Sequence, residues 1–199
     1  MIEIDATLPP EIQPLSWLLG VWEGTGVVHY QDGDDTLQHE FGQRVSFSHD
    51  GLPYLNYSSY TWSLDDAVTP YVSESGYWRL SRPVHNGEPG PGLLPGVGEP
   101  ITRTVDDIEK LRNGEGGFDL EVAIAHPDGI FELYLGAVNG PRIDLSTDAV
   151  VRTANAKDYS AATRLYGLVD SRLLWAWDIA ALGQDLRTHA SGRLGRASS

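Results

Sequence analysis

Six histidines, 28 acidic residues and no cysteine bound the chemistry open to this chain. Without a thiol there is no disulfide framework, Cys-type zinc site, iron–sulfur cluster or thiolate nucleophile. Met1 is the only methionine, so a transition metal must be held by His, Tyr or carboxylate. None of the histidines has a partner at zinc-type spacing: there is no His-x-His and no His-Glu-x-x-His. His29 and His39 fall on early strands, and His85 stands at the root of a Gly/Pro tract. His49 precedes Asp50-Gly51 and His126 precedes Pro127-Asp128-Gly129, so both read as turn-flanking residues. His189 differs. It lies in Leu186-Arg187-Thr188-His189-Ala190-Ser191-Gly192-Arg193-Leu194, a segment able to form a closing strand. The carboxylate clusters Asp32-Asp34-Asp35 and Asp65-Asp66 occupy turns and read as solvated charge, not as a glycosidase pair. Gly-x-Ser-x-Gly is absent, which removes support for a serine hydrolase.

The elements that must position these residues are strands. Short runs rich in β-branched and aromatic residues recur at 22–30, 43–48, 54–62, 71–80, 118–125, 130–138, 143–151, 162–169 and 173–179. Between several of them sit tight-turn dipeptides, Asp50-Gly51, Asp128-Gly129 and Asn139-Gly140. With the segment around His189 added, the pattern predicts an all-β fold: a single antiparallel up-and-down β-barrel of about ten strands, since closure removes exposed edges. Pro10 to Leu19 carries Ile12, Leu15, Leu18 and Leu19 near helical spacing and predicts a short cap helix. Residues 83–117 are too rich in Gly and Pro for ladder or helix, which predicts a long insertion loop or flap, with helical turns confined to Thr104 to Arg112. No repeat or second domain is visible, so residues 1–199 are expected to form one domain.

Gly20-Val21-Trp22-Glu23-Gly24-Thr25-Gly26 is the most distinctive local pattern. The expectation for Gly20, Trp22, Gly24 and Gly26 is structural: the indole fills a barrel end and the glycines allow close backbone packing. It is not a phosphate loop, because no helix N-terminus follows the glycines.

Taken together, several blocks in order resemble the nitrobindin family of small haem-binding β-barrels. They run from Leu15 to Gly26, through Glu74-Ser75-Gly76-Tyr77-Trp78-Arg79, Ala125-His126-Pro127-Asp128-Gly129-Ile130 and Ile143-Asp144-Leu145-Ser146-Thr147, to the block Ala180-Ala181-Leu182-Gly183-Gln184 with Leu186 and His189. The resemblance implies that His189 is the axial ligand of a b-type haem and that Lys157 pairs with a haem propionate. It also implies isomerisation of peroxynitrite to nitrate at ferric iron, with nitric oxide bound in the ferrous state. The chain departs from the family where Tyr30 is followed by Gln31-Asp32-Gly33-Asp34-Asp35 in place of Tyr-Pro-Thr-Ile, and in the small residues Ala190-Ser191-Gly192 after His189. The competing expectation is a non-catalytic barrel that carries an apolar molecule such as a fatty acid or free tetrapyrrole.

Charge narrows the partners. A net charge of −14 disfavours nucleic acid and anionic membranes. No stretch reaches the roughly 18 apolar residues of a membrane span, and Met1-Ile2-Glu3-Ile4-Asp5 lacks a signal-peptide layout. The expectation is a cytoplasmic protein with small-molecule partners, a homodimer being the one protein assembly kept open.

Overall fold

Ten strands alternate in direction around a closed barrel in a computed structural model, which describes residues 8–32, 35–99, 103–181 and 185–197. They are β1 (Gly20–Asp32), β2 (Asp35–Ser48), β3 (Leu55–Ser63), β4 (Pro70–Leu80), β5 (Phe118–His126), β6 (Ile130–Asn139), β7 (Arg142–Arg152), β8 (Tyr159–Val169), β9 (Arg172–Ala181) and β10 (Arg187–Arg196). Each pairs antiparallel with its neighbour in sequence, and β1 with β10 closes the ring, Trp22 opposite Arg196 and Val28 opposite Ala190. The expected up-and-down barrel is therefore the one observed. Residues 1–7, 33–34 and 182–184, which carry the acidic N-terminus, the departure after Tyr30 and part of the last family block, lie outside the described residues.

Alternation explains why these segments became strands. In β5, Phe118, Leu120, Val122 and Ile124 point into the lumen while the residues between them face outward. The up-and-down path sorts the connections between two ends. At one end lie the links β2–β3, β4–β5, β6–β7 and β8–β9; at the other lie β1–β2, β3–β4, β5–β6, β7–β8 and β9–β10.

The first end is closed by the N-terminal segment. Pro10–Leu18 forms a 3-10 helix, not an α-helix. Ile12, Leu15 and Leu18 are all fully buried, and their spacing of three matches three residues per turn. Pro14 inside the segment has no N–H to give an α-helical ladder. Trp22 plugs the same end. Its indole N–H donates to the Leu18 carbonyl at 2.7 Å, and the Arg196 guanidinium lies 4.2 Å over its ring. A Cβ on Gly24 would collide with the Arg193 carbonyl, and one on Gly26 with Ser191 and Phe41, so both glycines let β1 approach its neighbours.

The Gly/Pro insertion belongs to this closed end, because it joins β4 to β5. It is not a flap over the other mouth. Arg82 and Arg103 both bind the Glu88 carboxylate at 2.7 Å, and Arg103 reaches Glu11 of the 3-10 helix at 3.5 Å. Within it, α1 (Val105–Glu109) starts at a capping box between Thr104 and Asp107 and buries Ile108 in the core. Among the described residues no helix is long and apolar enough to cross a membrane.

Trp22→Ala should cost about 3–5 kcal/mol of unfolding free energy, as expected for deleting a large buried aromatic. Equilibrium denaturation of the two proteins measures it. A change below about 1 kcal/mol would show that the indole does not hold this end.

Candidate functional site

The half of the barrel away from the 3-10 helix is hollow. A cavity of about 830 Å³, counting its open mouth, is walled by Phe41, Tyr71, Trp175 and Trp177 with Val28, Val45 and Val72. Such a size and apolar lining suit a small ligand or a flat cofactor. Polar groups enter it at only a few points, chiefly Gln43, Ser59, Glu74, Arg164 and His189.

His189 reaches the cavity through a break in register. Thr188 pairs with Asp178 and Ala190 with Trp177, so His189 is an extra residue without a cross-strand partner on β9. In a regular strand, neighbours face opposite sides of the sheet, yet here both His189 and Ala190 line the cavity. A bulge re-aims a side chain in just this way. The ring is then fixed by β1: Nδ1 lies 3.2 Å from the His29 carbonyl oxygen. Since a carbonyl only accepts, this contact assigns the proton to Nδ1 and leaves the Nε2 lone pair for a ligand. Trp177 meets the ring edge-to-face at 5.5 Å. Burial lowers the His189 pKa below the ordinary imidazole value, so the neutral form prevails near pH 7.

Beneath the cavity sits a buried ionic cluster. Arg164 on β8 grips both oxygens of Glu74 on β4, at 2.9 and 3.0 Å, and reaches Glu132 on β6 at 3.2 Å. Its Nε donates to the Tyr134 hydroxyl at 2.9 Å. Tyr57 donates to Glu74 at 2.8 Å, while Glu132 takes Tyr134, Tyr159 and His126, the last at 2.7 Å. Burial alone would raise the Glu74 pKa, but the Arg164 charge overrides it and holds the carboxyl at about 2. Burial likewise opposes charge on Glu132 and His126, yet their mutual hydrogen bond and the surrounding charges lower Glu132 and raise His126. Arg164 also stacks 4.3 Å from the Trp177 ring, which lies near-parallel to the His126 ring and near-perpendicular to that of His189. The cluster thus braces the indole that packs on the cavity imidazole.

The other sequence candidates separate cleanly. His49 and His85 accept turn N–H groups of Gly51 and Gly87. His39 stacks with Tyr30 on the exposed wall. His126 is not a simple turn residue; it is a member of the ionic cluster. Lys157 is exposed in the β7–β8 turn, at the same end as the cavity mouth but outside its lining. Gly192 makes room for the Trp175 indole, which a Cβ would strike. The Arg164 cluster escaped the sequence reading. Its signal was a charged residue at an inward position of an apolar strand: Glu132 between Ile130 and Tyr134, Arg164 between Ala162 and Tyr166.

Among the described residues no three His, Asp or Glu gather to hold a bare metal ion. One neutral imidazole facing an aromatic slot suits a metal already chelated in a flat macrocycle. Fold and site together define a ligand-binding β-barrel whose aromatic cavity presents a single neutral imidazole. The chain belongs to the THAP4-like, heme-binding beta-barrel domain family, whose profile matches residues 11–196. It is 65% identical to the peroxynitrite isomerase of Leifsonia xyli subsp. xyli (strain CTCB07), over 99% of this chain and all of that protein. It is 66% identical to the peroxynitrite isomerase of Clavibacter michiganensis subsp. michiganensis (strain NCPPB 382), over 98% of each. Among solved structures, that of Rv2717c from M. tuberculosis superposes with a TM-score of 0.71 at 28% identity, covering 96% of this chain and 99% of that one.

The lowered Glu74 pKa makes the cluster acid-sensitive. A carboxyl depressed from 4.5 to about 2 contributes stability above pH 4.5 that is lost as pH falls toward 2. Glu74→Gln, which leaves the Arg164 charge under-compensated, should cost about 3–5 kcal/mol at pH 7 and flatten that acid dependence. Denaturant midpoints from pH 7 to pH 3 test it, and parallel curves for both proteins would contradict the assignment.

Proposed function

We propose that the chain binds haem b in the barrel cavity through His189 Nε2 and isomerises peroxynitrite to nitrate. The observation that carries this reading is the bulged His189, its Nδ1 held by the His29 carbonyl and its Nε2 without a hydrogen-bond partner among the described residues. Full-length similarity to proteins named peroxynitrite isomerase supports the reaction.

Bound haem supplies the Lewis-acid and one-electron chemistry of the reaction. The chain supplies the rest. His189 ligates from one wall, and Trp177 and the His29 carbonyl prevent its rotation. Phe41, Trp175 and Tyr71 exclude water and limit escape of the reacting groups. Peroxynitrite and nitrate have the same atoms and charge, so no net proton transfer is required. Accordingly, the acidic groups beneath the cavity are tied up by Arg164, Tyr and His126, and no free general base is needed.

The reading extends to nitric oxide as a ferrous-state ligand and to Lys157 as a partner of a haem propionate at the open end. It also includes a cytoplasmic setting and a homodimer. Tyr77, Phe131, Leu133 and Val151, exposed together on the outer face of β4–β7, support the last.

Mixing the protein with ferric haem should give a sharp Soret band that His189→Ala loses, while Lys157→Ala keeps the band and only speeds haem loss. Haem affinity should hold at neutral pH and fall only at a pH below the ordinary imidazole range, because burial lowers the His189 pKa and delays protonation of the ring that would bind iron. A broad free-haem spectrum for both wild type and His189→Ala would overturn the haem site and leave an apolar-ligand carrier.

A further inference from the structure

Hydrogen-bond polarity on the cavity wall fixes the direction of one more group. The Trp175 indole N–H, which can only donate, meets the Gln43 side chain at 2.7 Å. The atom it meets must be the carboxamide oxygen, so the Gln43 amide cannot be flipped. Its NH₂ therefore faces Ser59 and donates to Oγ at 3.0 Å. Ser59 is an acceptor in that bond, and its own O–H has no acceptor among the described residues. Ser59 is 5% exposed and Gln43 6% exposed, and both line the cavity that His189 enters. A buried hydroxyl with an unused proton is costly unless something in the cavity takes it. The arrangement is built from three strands: Trp175 on β9, Gln43 on β2 and Ser59 on β3. Trp175 can lie there only because residue 192 on β10 is glycine.

Resting on the haem reading above, we propose that the Ser59 hydroxyl, oriented by Gln43 and Trp175, is the donor that holds an oxygen of the substrate oxyanion within the cavity. The apolar wall offers the anion little else. Glu74 beside it is negative, and the Arg164 donors are already taken by Glu74, Glu132, Tyr134 and Tyr166. One aimed O–H in a dry pocket, backed by a second hydrogen bond, discriminates an oxygen-bearing anion from an apolar guest of the same size. A carboxylate of the cofactor could use the same donor, and the experiment separates the two.

Nitrite is titrated into ferric haem-loaded protein, and affinity is read from the Soret band; haem transfer to an excess of apomyoglobin is timed in parallel. Ser59→Ala should weaken nitrite binding roughly tenfold to a hundredfold with haem retention unchanged. Ser59→Thr, which keeps the hydroxyl, should restore most of the affinity. Gln43→Glu should weaken nitrite at least as much, since a carboxylate takes the Ser59 proton for itself and adds negative charge. Unchanged nitrite affinity in Ser59→Ala, or faster haem loss with nitrite affinity intact, overturns this inference alone; the second result assigns the hydroxyl to a propionate. Absence of a Soret band in the wild type overturns the haem reading and this inference with it.

Discussion

The bidentate pair between Arg164 and Glu74 divides the barrel. A guanidinium inside a lumen is expensive to desolvate, and such a pair contributes little net stability against an apolar alternative. What it does is fix positions. Arg164 reaches from β8 across to β4 and β6, and its flat face lies on Trp177. On one side of it the lumen is packed with Trp78 and Phe47, against which Tyr57 and Tyr166 lie at the cavity floor. On the other it opens into the cavity. With His126 protonated, two carboxylates face two cations, and the cluster is neutral as a unit. Removing any one member would leave a buried charge uncompensated, which makes the arrangement all-or-none. The indole that packs on His189 inherits that rigidity.

Much of the fold was legible because barrel strands announce themselves locally. Alternation in 118–125 and the Asn139-Gly140 turn need no distant information to be read. The 3-10 character of the N-terminal plug was also written in the spacing of Ile12, Leu15 and Leu18, although helical periodicity in general is what the eye first sees. The insertion was legible as a loop but not in its place: it joins β4 to β5, and up-and-down topology sends that link to the closed end, away from the mouth a flap would cover.

The site was legible only in part, and the reason is register. Nothing local marks His189 as inward-facing. It faces the lumen because β10 gains a residue against β9, and a bulge is a property of two strands. Resemblance to a family singled it out where spacing could not. The Arg164 cluster gathers residues from positions 57, 74, 126, 132, 134, 159 and 164, and its bidentate pair joins residues 90 apart in the sequence. Each member looks ordinary in its own strand. Only the shared lumen level makes them neighbours.

Charge raises a last question of how such a chain can receive an anion at all. A net charge of −14 is spread over the whole surface, and at physiological ionic strength it is screened over about 8 Å. Inside the barrel that screening fails, and nearby groups dominate. In the cluster beneath the cavity Arg164 and, when protonated, His126 offset the two carboxylates, which leaves little net charge to attract or repel an anion. Selection then falls to groups that act at contact distance: the iron that His189 would hold, and donors fixed in direction by their own bonds. A surface that repels anions weakly and a cavity that reads them at close range are compatible, because solvent separates the two regimes.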